Sequence, residues 1–109
     1  MFSVSIHFVT RPEKCTEFEQ VIQSLKGRIA KESGCLGCTL YRNVEKPNEY
    51  MVLQEWETEI QARQHLKSPS MAVLCGAKTL LTNQARISLT RDPSLVELEG
   101  QFIQRIEKR

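Results

Sequence analysis

The sequence predicts an α+β protein, with a ferredoxin-like four-stranded antiparallel sheet and helices on one face. Three observations predict it: apolar residues alternate along the N-terminal segment, an apolar stripe at helical spacing follows, and a hairpin leads into a second unit. The predicted order is strand, helix, strand, strand, one or two helices, strand and a final helix. We expect one domain over residues 1–92, with residues 93–109 as its helical extension.

The spacing of apolar side chains indicates the first strand and the first helix. A period of two, typical of a strand with one buried face, is formed by Phe2, Val4, Ile6 and Phe8. Pro12 ends strand pairing and can open a helix. The helix has one apolar stripe, formed by Phe18, Val21, Ile22, Leu25 and Ile29. Ser33-Gly34 is expected to end it, because Gly readily adopts a left-handed cap.

The later elements are indicated by turns and caps. Strands are predicted at 35–43, 49–56 and 85–91. Thr58 with Gln61 resembles a capping box for a short helix, and Ser68-Pro69 begins another whose apolar side includes Met71, Leu74 and Leu81. Ser94 with Glu97 predicts a final helix to about Lys108, with an apolar stripe of Leu95, Leu98, Phe102 and Ile106.

Composition excludes several classes of function. A net charge of +2, with scattered basic residues, does not favour nucleic acid or an anionic membrane as a partner. No apolar run approaches the roughly 20 residues of a membrane span, and the alternating N-terminus is unlike a signal peptide. We therefore expect a cytoplasmic protein whose four cysteines are reduced. The sequence shows no phosphate-binding loop, dinucleotide motif or metal-ligand spacing, so we predict no cofactor and no metal.

Cys35 and Cys38 have C-x-x-C spacing but follow a helix and enter a strand, whereas redox pairs precede a helix. Residues three apart on a regular strand face opposite sides. The sequence therefore predicts a structural role for both thiols.

The segment YMVLQEWETEIQARQHLKSP, residues 50–69, carries the strongest family signal. Together with Gly34-Cys35-Leu36 and Leu40-Tyr41-Arg42, it resembles the antibiotic biosynthesis monooxygenase family over roughly residues 2–91. The resemblance implies a dimeric α+β barrel. A homodimer is also favoured by the third strand, which is apolar on both sides although helices cover only one face of the sheet.

His65 and Trp56 are the predicted catalytic residues. A histidine is suited to moving protons near neutrality, and the resemblance implies that the His65 position faces a pocket between sheet and helices. Trp56 can stack on a flat substrate. Tyr50, Arg42 and Tyr41 are predicted substrate-binding residues, because a phenol or guanidinium can hold an oxyanion. The alternative for each is structural: a satisfied histidine, a core tryptophan, and surface residues of the hairpin.

Three functions are compatible with these residues. The first is a cofactor-independent monooxygenase acting on a small aromatic quinol or phenol. The second is an isomerase of a small hydroxy-carbonyl compound, of the autoinducer-2-processing type. The third is a non-catalytic dimer that binds a small molecule or is associated with stress. The heme-degrading branch of the family is not favoured, since its Asn, Trp and His positions correspond to Ser5 or Ile6, His65 and Cys75.

Overall fold

The computed structural model describes residues 2–76, 80–82, 86–90 and 103–106. Its strands are β1 (Phe2–Val9), β2 (Cys35–Asn43), β3 (Glu49–Trp56), β4 (Arg86–Thr90) and β5 (Ile103–Ile106). Its α-helices are α1 (Cys15–Ala30), α2 (Glu59–Leu66) and α3 (Pro69–Cys75), with a 3₁₀ turn at Pro12–Lys14. None of the helices in these ranges is long and apolar enough to cross a membrane.

The strands form one sheet in the order β4-β1-β3-β2-β5, and every pairing is antiparallel. β3 is the central strand, and its last residue, Trp56, is paired with Phe2 of β1. The predicted α+β class and the first four strands are confirmed. The predicted count of four strands is wrong, because β5 adds a fifth.

The predicted final helix is wrong at residues 103–106. Ile103–Ile106 forms a strand, paired with β2 from Asn43 to Leu40. The rest of the predicted helix lies outside the described residues. Without β5, one side of β2 would have no strand partner for its backbone N–H and C=O groups in these ranges. This pairing is between distant residues, so the local apolar spacing does not report it.

The core lies between the sheet and the helices. β1 and β3 contribute their even-numbered residues, and α1 contributes the predicted stripe except for half-buried Val21. Leu81 is also buried, but it forms an isolated bridge with Thr10 instead of belonging to the helix that begins at Pro69. The side chains that line this core at the end of β3 and on α2 define the candidate site.

The opposite face of β3 differs from the expectation. Met51 and Leu53 lie outside the core cluster, yet they are only 2% and 6% exposed in the single chain. In the sheet register, Met51 lies between His7 and Tyr41, and such cross-strand neighbours are close enough to cover one another. The expected exposed apolar patch is therefore absent at these two residues of β3, and covering them does not by itself require a second chain.

Gly34 has a conformation that only glycine adopts readily. α1 ends earlier than expected, with Lys31 as its C-cap, and Gly34 lies in the turn before β2 with φ +86°. A Cβ atom there would collide with the side-chain amide of Gln61 on α2. The turn therefore brings Gly34 into direct contact with Gln61 of α2.

We expect Gly34→Ala to destabilise the protein by about 1–2 kcal/mol from the left-handed backbone alone, with a further cost from the collision. Gly27→Ala is the matched control. Gly27 is exposed within α1, and a Cβ atom added to it would meet no other atom within 4 Å, so this change should stabilise the helix by roughly 0.5–1 kcal/mol. Urea denaturation followed by circular dichroism measures the change in unfolding free energy for both substitutions. Equal effects of the two substitutions would contradict the role given to Gly34.

Candidate functional site

Trp56 and His65 are brought together by the connection between β3 and α2. Thr58 caps α2, since its Oγ accepts a hydrogen bond of 3.2 Å from the backbone N–H of Gln61. The helix then buries Ala62 and His65. The imidazole of His65 stacks on the indole of Trp56, with ring centroids 4.8 Å apart and an interplanar angle of 28°. Both predicted catalytic side chains therefore lie in one buried environment.

Glu32, in the turn after α1, holds the imidazole at Nδ1, on the edge of the ring. Its two carboxylate oxygens lie 3.0 and 2.9 Å from Nδ1 of His65. The His65 side chain is 0% exposed, whereas that of Glu32 is 26% exposed. An ionised carboxylate only accepts hydrogen bonds, so Nδ1 carries the proton. In a neutral imidazole this leaves Nε2 as a hydrogen-bond acceptor with a lone pair.

Nε2 of His65 is buried and has no hydrogen-bond partner. Ser68, at the start of α3, does not change this, because its Oγ lies 3.4 Å from Nδ1. A buried polar atom without a partner carries a free-energy cost, and such atoms in folded proteins call for an explanation such as a catalytic or binding role. The Glu32 carboxylate orients the His65 ring, and Nε2 of the ring can act as a base within the core.

Gln54 provides the second polar group of the site. It is fully buried on the same face of β3 as Trp56, and its Oε1 accepts a hydrogen bond of 3.4 Å from the indole N–H. Its Nε2 is also buried without a partner. We call Glu32, Gln54, Trp56, His65 and Ser68 the buried polar cluster.

The predicted substrate-binding residues lie elsewhere. The Tyr50 hydroxyl donates to Glu19 at 2.7 Å, and the Arg42 guanidinium lies 3.8 Å from the same carboxylate. Burial and then the hydrogen bond to Glu19 raise the pKa of Tyr50. Tyr50 is six residues before Trp56 on β3, which is about 20 Å along a strand. The structure therefore groups Tyr50 and Arg42 with Glu19, away from His65.

Tyr41 is on the other face of the sheet. It is opposite Met51 in the register, whereas Trp56 and Gln54 face the helices. His7 is opposite Met51 from β1, so it shares this face with Tyr41. Neither residue belongs to the buried polar cluster.

The cysteine pair also corrects the sequence analysis. A bulge between Cys35 and Gly37 shifts the register, so that Cys35 is opposite Trp56 and Cys38 is opposite Gln54. Both cysteines therefore face the helices, not opposite sides as predicted from regular strand geometry. Burial raises the pKa of both thiols, that of Cys38 to about 12, which keeps them protonated and unreactive near neutrality. This agrees with a structural role.

Sequence reasoning did not assign Glu32 or Gln54 to the site. A signal for Gln54 was present, since it is a polar residue at an inward position of an otherwise apolar strand, two residues before Trp56. Glu32 gave no such signal, because it contacts His65 across 33 positions of the chain. In the described ranges, no group of three or more His, Cys, Asp or Glu side chains is placed to hold a metal ion.

Comparison with known proteins agrees with this fold. The profile of the family described as antibiotic biosynthesis monooxygenase matches residues 1–75. A conserved protein from Methanosarcina mazei Go1 is 27% identical, with a TM-score of 0.76 over 84% of this chain and 91% of its own. Rv0793 from Mycobacterium tuberculosis is 18% identical, with a TM-score of 0.73 over 84% of this chain and 93% of its own.

A structure described as an antibiotic biosynthesis monooxygenase is 15% identical, with a TM-score of 0.74 over 84% of this chain and 98% of its own. The last two similarities, at low identity, concern the fold alone. No curated protein matches the sequence significantly. The family profile covers well over half of the 109 residues, including β1 to α3 and the whole buried polar cluster. This chain therefore belongs to the antibiotic biosynthesis monooxygenase family.

Proposed function

We propose that the protein is a cofactor-independent monooxygenase that oxidises a small aromatic phenol or quinol. The observation that carries this proposal is the buried Nε2 of His65, which has no partner while Glu32 holds Nδ1. Such a nitrogen can accept the proton of a substrate hydroxyl. Membership of the family supports the reaction class.

The proposed chemistry needs a substrate that supplies its own electrons. Loss of the hydroxyl proton to Nε2 of His65 leaves an electron-rich phenolate that can reduce O₂. For a simple phenol the overall change is phenol plus O₂ to quinone plus water. The ring gains one oxygen atom and loses two hydrogens, so four electrons pass to O₂. The protein supplies a base, an aromatic surface at Trp56, and an environment from which water is excluded.

Access to the site requires movement, because both rings are buried in the single chain. The imidazole is carried by α2, a helix of eight residues, and is bordered by the start of α3 at Ser68. We propose that the substrate enters when these short helices move away from the sheet. Helix motions of this kind occur on the microsecond to millisecond scale.

Oxygen consumption tests the proposal. The purified protein is mixed with a panel of phenols and quinols, and O₂ uptake is compared with quinone formation. One quinone should form for each O₂ consumed, without added metal, flavin or nicotinamide. Saturable binding of the same compounds with no O₂ uptake would contradict the proposal and support a non-catalytic binding protein.

We further propose that the protein is a homodimer, with the sheet face of Met51 and Leu53 towards the partner. None of the described helices contributes to that face, and the family resemblance implies a dimeric barrel. Light scattering at micromolar concentration should give twice the chain mass of 12.5 kDa. Thr39→Glu, at a half-buried residue opposite Leu53 on β2, should weaken the dimer, whereas Ile60→Glu, at a 70% exposed residue of α2, serves as the control for an added charge. A stable wild-type monomer would contradict this proposal.

A further inference from the structure

We propose that Gln54 and His65 form a recognition pair for one neutral hydroxyl group of an aromatic ligand. The inference rests on the proposed function, because it concerns the same site, but it specifies the group that the ligand must carry. Its basis is the opposite hydrogen-bonding character of two buried atoms without partners, Nε2 of Gln54 and Nε2 of His65.

The orientation of the Gln54 amide is determined by Trp56. The indole N–H is only a donor, so the amide atom that faces it at 3.4 Å must be the oxygen. The NH₂ group of Gln54 therefore points away from the indole, and it brings donors but no acceptor to its surroundings. Gln54 is 0% exposed, so bulk water does not satisfy these donors.

The orientation of the imidazole is determined by Glu32. Because Nδ1 donates to the carboxylate, Nε2 of the neutral ring is an acceptor. The two side chains are connected through Trp56, since Gln54 bonds to the indole nitrogen and His65 stacks on the indole ring. One donor and one acceptor are thus available on two side chains that both contact Trp56.

A hydroxyl group satisfies both atoms, because its oxygen accepts from Gln54 while its proton is donated to His65. A carboxylate, ether or ketone can only accept, and would leave Nε2 of His65 without a donor. An ammonium group can only donate, and would leave the NH₂ group of Gln54 without an acceptor. The proposed function supplies the aromatic carrier, so the ligand class is a neutral phenol.

The same pair is suited to the step that follows binding. When the hydroxyl proton moves to Nε2, the imidazolium N–H and the Gln54 N–H both become donors to the phenolate oxygen. Donors held in place before the charge develops stabilise it without reorganisation. Gln54 is therefore assigned a direct contact with the substrate oxygen.

Binding of three matched ligands to the wild-type protein tests the pair. Phenol has a hydroxyl, anisole has the same oxygen as a methyl ether, and benzoate has an anionic carboxylate. Trp56 is the only tryptophan, so its fluorescence reports on the site directly. Phenol should change the emission saturably, and anisole and benzoate should each bind at least about tenfold more weakly, equivalent to about 1.4 kcal/mol. Equal affinity for phenol and anisole, or no saturable change with phenol, would overturn the inference.

Gln54→Met should reduce phenol affinity about tenfold while leaving anisole affinity nearly unchanged. Gln23→Met is the matched control, because Gln23 also has a buried amide atom without a partner but lies on α1, outside the cluster. It should leave both affinities unchanged. If Gln54→Met does not fold, the relative affinities of the wild-type protein for phenol, anisole and benzoate still test the recognition pair.

The outcomes separate this inference from the proposed function. Phenol selectivity without O₂ uptake would preserve the recognition pair and contradict the monooxygenase. Phenol-dependent O₂ uptake with a phenol affinity that Gln54→Met leaves unchanged would preserve the monooxygenase and contradict the recognition pair.

Discussion

Replacing His65 by Ala is expected to lower turnover of the proposed reaction about a hundredfold, the usual effect of losing a general base. The substitution removes the only ring nitrogen placed to take the substrate proton in the buried polar cluster, and it leaves the Glu32 carboxylate without its partner. Turnover is measured as O₂ uptake at saturating substrate.

Two controls separate chemistry from folding. Free imidazole should partly restore turnover of His65→Ala, since it can enter the space left by the side chain. Glu32→Gln keeps a side chain of the same size but can accept from Nδ1 through one oxygen only, so it should lower turnover less than His65→Ala does. A folded His65→Ala protein with wild-type turnover would remove His65 from the mechanism.

Replacing Trp56 by Ala is expected to destabilise the fold by about 3–5 kcal/mol. Trp56 is 0% exposed and is among the largest fully buried side chains. The substitution removes the surface on which His65 stacks and the donor to Gln54. The loss therefore combines an apolar cavity with a buried Gln54 amide whose oxygen and nitrogen both have no hydrogen-bond partner.

Trp56→Phe isolates the polar part of this effect. Phe keeps an aromatic ring beside the imidazole but has no N–H, so Oε1 of Gln54 loses its donor. We expect a smaller loss, of about 1–3 kcal/mol. Urea denaturation must be followed by circular dichroism, because both variants lack the only tryptophan. Equal stability of Trp56→Ala and the wild type would show that Trp56 does not anchor the core.

Local sequence patterns predicted much of the fold. The alternation from Phe2 to Phe8 and the stripe on α1 are consequences of burial on one face, and burial is what determines these elements. The caps at Thr58 and Ser68 were also predicted correctly, because a capping hydrogen bond spans only three residues.

The errors arose where distant residues interact. The spacing around Phe102 and Ile106 fits a helix, but pairing with β2 makes Ile103–Ile106 a strand. The bulge in β2 does have a local signal in Gly37, since a glycine within a strand often marks one, but glycine alone does not fix the register on either side of it.

The site was predicted in part. Residue type made His65 a candidate proton carrier and Trp56 a candidate stacking residue, and the family resemblance implied a pocket position for His65; the structure places the two rings in contact. Residue type and resemblance could not supply Glu32, which is distant in sequence. They also placed Tyr50 and Arg42 with the site, although both residues interact with Glu19. A hydrogen-bonding partner is a property of the packed chain, and residue type alone does not specify it.

The central position of β3 has a consequence for hydrogen exchange. Gln54 and Trp56 belong to a strand that is hydrogen-bonded on both sides, so its amide protons should exchange only when the whole domain unfolds. His65 belongs to a helix of eight residues, and a helix that short is marginal without its packing. Its amides should exchange through smaller openings that leave the sheet intact. We therefore expect the two halves of the cluster to belong to cooperative units of different stability, with α2 opening while the indole and the amide keep their positions.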